Sequence, residues 1–193
     1  MLAMCAGCSI AKKKLKGFII LVLFLFSSFV PVYAVTVHEL RQMASSSPQN
    51  ALLQIDSLEN KAAYPAYQLD YLRACAYFRL SMFEKALTSA KKAYNSIEVK
   101  SDTILYRQVY MILAESAVFS YSLNDATHYI QKGKKYALSV SDEVLLANML
   151  LSEGDLYRRL SLNKLAYETV FQAIKLLSKK NPPIDAYHLS HAY

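Results

Sequence analysis

Few side chains in this 193-residue chain have both the type and the spacing for chemistry. Cys5 and Cys8 form a C-x-x-C pair, a spacing used by redox and metal sites. They lie ahead of an apolar run, in what reads as the basic end of an export signal, and would leave with it. They also precede the apolar run that a lipoprotein cysteine must follow. Cys75 is then the one thiol of the mature chain. It falls in a strongly apolar helical pattern, where a free cysteine behaves as a small hydrophobe. A nucleophilic thiol needs a base and a polar pocket, and neither is evident beside it. His188 and His191 share a helical face and would need a third ligand to hold a metal. Fifteen tyrosines suggest a sugar-binding surface, but in helices such rings more commonly pack with their hydroxyls in water. There is no Gly-rich phosphate loop, G-x-S-x-G, H-E-x-x-H or paired-carboxylate pattern. These residues point to a non-catalytic chain with no metal and no cofactor.

Charge narrows the partners. The formal net charge is +7, but Lys12, Lys13, Lys14 and Lys16 all precede residue 35, where no acidic residue occurs. Without them 18 basic residues face 15 acidic ones, a net of +3. Nucleic-acid binding needs a clustered basic face or stacking aromatics set in one, and neither is present.

The elements that position these residues come in two kinds. The four lysines, the apolar run 17–26 and the Ser- and Pro-containing stretch 27–34 have the order of a secretory signal, with cleavage expected after Ala34. The alternative is an uncleaved inner-membrane anchor over 17–34 facing the periplasm, and membrane contact would then run through that segment alone. Ser27, Ser28 and Pro31 interrupt it, whereas a spanning helix wants about 20 predominantly apolar residues. The chain is therefore expected to be exported, into the periplasm. Everything after it reads as helix. With 54% hydrophobic residues, 4 Gly, 5 Pro and no sustained alternation, the class is all-α. The periodicity predicts helices over 35–44, 48–60, 64–80, 83–97, 102–119, 124–140, 142–160 and 162–178. Expected caps are Ser47 before Pro48, Ser101 or Asp102, Asn124 or Asp125, and Ser141 or Asp142.

These helices repeat. Ala74, Tyr77, Phe83, Ala86, Ala90 and Ala93 set a pattern of small and large residues. It returns 40 residues on as Ala114, Ala117, Ala126, Ile130 and Gly133, and again as Gly154, Tyr157, Ala166, Val170 and Ala173. Ala51, Ile55 and Leu58 echo its second half. Small residues let helices approach closely, and a helix pair alone would leave an apolar face in water, so such pairs must stack.

The pattern resembles the tetratricopeptide repeat, over about residues 51–180. The 40-residue spacing exceeds the usual 34 of that family, and its repeat-end proline is missing here. The resemblance implies a right-handed superhelical α-solenoid of antiparallel helix pairs, with a divergent first pair over 35–60 and three pairs over 61–180. It also implies a groove, lined by the first helix of each pair, that takes a protein or peptide. Carried onto this chain, the groove positions are Gln68, Tyr71, Cys75 and Arg79, then Gln108, Met111, Glu115 and Phe119, then Asn148, Asp155, Arg158 and Arg159. The lysine and asparagine clamp of some relatives is not matched. Arg79, Arg158 and Arg159 suit carboxylates, although Asp155 with the two arginines also fits an internal charge set. Residues 181–193 read as the start of a further helix, with Tyr187, Leu189 and Tyr193 awaiting a partner, as in a truncated array. The order of signal and repeats is similar to the extracytoplasmic front half of some bacterial sensor histidine kinases and GGDEF-type diguanylate cyclases. That similarity implies a sensory input module as the alternative function.

Overall fold

The structure is a computed structural model and describes residues 36–59, 64–96 and 103–178. The expectations for the export segment, the 181–193 helix, His188, His191 and the Ser101 or Asp102 cap lie outside the described residues. Among the described residues the chain forms eight helices and no strand. They are α1 (Val37–Ser46), α2 (Pro48–Glu59), α3 (Ala66–Arg79), α4 (Phe83–Asn95), α5 (Thr103–Phe119), α6 (Leu123–Ser139), α7 (Glu143–Arg159) and α8 (Asn163–Ser178).

Local chemistry sets the boundaries. Thr36 opens α1 with a capping box: its hydroxyl accepts from Glu39 N at 3.2 Å, and Glu39 Oε2 accepts from Thr36 N at 2.7 Å. Those hydrogen bonds, led by the one from the Thr36 backbone, hold the Glu39 carboxyl below its ordinary range. Ser47 closes α1, and its carbonyl accepts the first helical bond of α2 from Ala51 N at 3.0 Å. Pro48 occupies the first position of α2, where its missing N–H costs nothing.

One turn recurs four times. Ser81, Tyr121, Ser141 and Ser161 have φ of 57°, 58°, 54° and 59°. At each, that residue's N–H reaches the carbonyl three back, and the next N–H reaches the carbonyl five back. Ser81 N to Phe78 O is 3.0 Å and Met82 N to Tyr77 O is 2.9 Å; the Ser141 turn gives 3.3 Å to Leu138 O and, from Asp142 N, 2.8 Å to Ala137 O. This is the double-bonded helix ending that usually employs glycine. It places the next helix start two residues later, and so corrects one expected cap. Neither Asn124 nor Asp125 caps α6, which begins at Leu123. Asp125 sits in the first turn and accepts from Ser122 Oγ at 3.0 Å and Lys91 Nζ at 2.8 Å. Asp142 does cap α7, accepting from Leu145 N at 3.0 Å.

Packing follows the chain. Each helix meets its successor, and α1, α3, α5 and α7 also touch one another in sequence. The small residues of the repeat are buried at these crossings: Ala74, Ala86, Ala90, Ala93, Ala114, Ala126 and Ala173 are all fully buried. A methyl group on Gly154 would lie 2.5 Å from Val170 Cγ2, and one on Gly133 would collide with the side chain of Met149. Ion pairs tie helices together. Arg73 on α3 meets Asp56 and Glu59 on α2 at 3.0 and 2.7 Å, and Lys134 on α6 meets buried Glu153 on α7 at 2.7 Å. The tyrosines of α4, α5 and α6 pack as rings. Tyr110 exchanges hydroxyl contacts with Tyr94 at 3.3 Å and Tyr106 at 3.2 Å.

Candidate functional site

Of the helices that touch one another in sequence, α1, α3, α5 and α7, the last three carry the residues expected to line a groove. Successive side chains four apart on a helix share a face, which brings Tyr71, Cys75 and Arg79 into line on α3. The same spacing aligns Met111, Glu115 and Phe119 on α5, and Asp155 and Arg159 on α7.

At one end Arg41 of α1 closes the row. Its guanidinium carbon lies 5.8 Å from the Tyr71 ring centroid. With its amide oxygen turned toward Arg41, Gln108 accepts from both terminal guanidinium nitrogens at 2.8 and 3.1 Å. Tyr71 is buried, and burial pushes its hydroxyl upward. Beside it, burial pushes the Cys75 thiol up to about 11, against an opposing hydrogen bond from Tyr71. A thiol held that high stays protonated at neutral pH and is a poor nucleophile.

The middle holds a carboxyl among charges. Burial pushes Glu115 up to about 7; Asp155 adds to the rise and Arg79 opposes it. Glu115 is thus part neutral at physiological pH, between a cation from α3 and an anion from α7.

The far end is aromatic and cationic. Phe78, Phe83 and Phe119 form a cluster with centroids 5.1–5.6 Å apart. The Arg159 guanidinium carbon stands 4.5 Å from the Phe119 centroid and 4.7 Å from that of Tyr121. Its Nε is buried without a hydrogen-bond partner. Arg158 is committed elsewhere: it donates twice to Asp155 Oδ1, at 2.7 and 3.2 Å. Asn148 is buried, with its amide nitrogen donating to Val144 O of its own helix at 2.9 Å. Gln68 and Met111 are half-buried on α3 and α5.

The structure therefore brings Tyr71, Cys75 and Gln108 together around Arg41, sets Arg79, Glu115 and Asp155 within electrostatic reach, and joins Phe119 to Arg159. It turns Asn148 inward and ties Arg158 to its own helix. Arg41 and Tyr121 were not among the expected residues. Tyr121 had a signal: it holds the turn position that is serine at 81, 141 and 161. Arg41 had none, since it lies outside the repeat. Two cavities, of about 470 and 450 Å³, lie away from this face, the first between the start of α5 and the α6–α7 turn, the second between α6, α7 and α8. Among the described residues no three His, Cys, Asp or Glu side chains converge as a metal-binding group. No described helix is long and apolar enough to cross a membrane.

Compared with protein-family models, curated proteins and solved structures, the chain matches none.

Proposed function

We propose that the chain is an exported, non-catalytic helical-repeat module, a tetratricopeptide-like α-solenoid, that binds a protein or peptide segment along the face of α1, α3, α5 and α7. The observation that carries this is the composition of that face. The helices bury small residues against their neighbours, and α3 and α5 leave Gln68, Gln108, Met111, Glu115 and Phe119 half-buried. A row that alternates rings, amides and charges offers anchors for side chains and partners for a peptide backbone.

The test is binding to an array of random peptides. Met111→Glu, which puts a charge in the middle of the row, is expected to abolish the binding of peptides that the wild type retains. Lys135→Glu, on the exposed side of α6, is expected to leave it unchanged. Equal losses from both variants would refute the assignment of the face.

A further inference from the structure

Arg159 is held in an arrangement that packing alone leaves unexplained. Its guanidinium carbon lies close to two ring centroids, that of Phe119 at 4.5 Å and that of Tyr121 at 4.7 Å. Phe119 is itself backed by Phe78 at 5.6 Å and Phe83 at 5.1 Å, so the first ring is fixed. The second ring comes from the recurring left-handed turn, at the position that serine fills in the other three turns. Tyr121 sits at φ 58°, a region that disfavours bulky side chains, and the residue is 67% exposed. Arg159 itself makes no hydrogen bond or ion pair among the described residues, and its Nε is hidden from water with no acceptor. The carboxylate one turn back, Asp155, is taken by Arg158 at 2.7 Å. A guanidinium held against rings makes its hydrogen bonds in its own plane, where its fork of N–H groups matches the two oxygens of a carboxylate.

We propose that Arg159, held against Phe119 and Tyr121, is a carboxylate-binding site. That the carboxylate belongs to a peptide rests on the function proposed above. The source is a Glu or Asp side chain or a free chain terminus, since both present the same pair of oxygens. The rings orient the cation and exclude water from its faces, which strengthens a charged hydrogen bond made at its edge.

The direct test follows the Arg159 Nε–H resonance of the full chain by NMR during titration with three probes. N-acetyl-glutamate amide carries a side-chain carboxylate, N-acetylglycine a terminal one, and N-acetyl-glutamine amide neither. The expected result is a saturable shift with one or both carboxylates and none with the glutamine probe. Arg159→Lys, which keeps the charge and loses the fork, should weaken binding several-fold, as read on neighbouring amides, and Arg159→Gln should abolish it. Tyr121→Ala should weaken it while circular dichroism stays that of the wild type. No shift, an equal shift with the neutral probe, or a response to inorganic phosphate alone overturns the site. Peptide arrays of acetylated, amidated sequences in Glu and Gln pairs separate the two proposals. Peptide binding without preference for Glu, with no response to the probes, removes the carboxylate site and leaves the binding face. A response to the probes with no arrayed peptide retained keeps the site and removes the peptide reading.

Discussion

Glu115 is a residue whose charge state near neutral pH depends on the fold. Its ordinary value of 4.5 rises to about 7, chiefly through burial. Between those values the folded chain holds a proton that the unfolded chain has released. The group's contribution to stability is therefore fully present below 4.5, declines as pH rises through the window, and is lower by up to about 3 kcal/mol above it. Glu115→Gln is expected to match the wild type in urea unfolding near pH 4.5 and to exceed it at pH 8. A variant less stable than wild type at pH 8 would mean that the ionised carboxylate, facing Arg79, stabilises the fold. None of this was legible in the sequence beyond the face on which Glu115 lies. Periodicity assigns a side chain to a face, but it does not say how far α3 and α7 close over it. The same limit applied to Asn148, which shares that periodicity and is buried, and to Arg158, which is exposed and bound to Asp155.

The helices carry two devices, one legible and one not. Small residues at crossings show directly as Ala74, Ala114 and Gly154, because close approach excludes larger side chains. Gly154→Ala should therefore destabilise the chain by about 1–2 kcal/mol, the overpacking against Val170 outweighing the helix propensity that alanine gains. Chemical unfolding measures it, and a stabilised variant would show that Val170 has room to move. The left-handed turns were hidden because their requirement is a backbone angle, and serine or tyrosine fills the place glycine usually takes. Ser141 is exposed at φ 54°. Ser141→Gly is expected to stabilise by about 0.5–1 kcal/mol, the relief of left-handed strain exceeding the entropy that glycine adds to the unfolded chain. Tyr121→Gly relieves the same strain but gives up the ring over Arg159, so its gain should be smaller or reversed in sign. Equal gains at the two positions would show that the ring contributes nothing to stability.

At the scale of the molecule, the all-helical class of the described residues and the order of their elements were readable from periodicity, with boundaries moved by one or two residues. The turn at Ser141, between α6 and α7, has the geometry of those at Ser81, Tyr121 and Ser161, so α5 to α8 follow one another by a single kind of connection. What assembles only in three dimensions is the row from Arg41 through Glu115 to Arg159, drawn from four helices and one turn. Photo-crosslinking tests its purpose most directly. A benzoylphenylalanine at Met111, in the middle of the row, should capture a discrete polypeptide in cells that make the protein. The same group at Lys135, on the exposed side of α6, should capture none. Adducts of the same pattern at both positions, or at Lys135 alone, would place recognition elsewhere on the molecule.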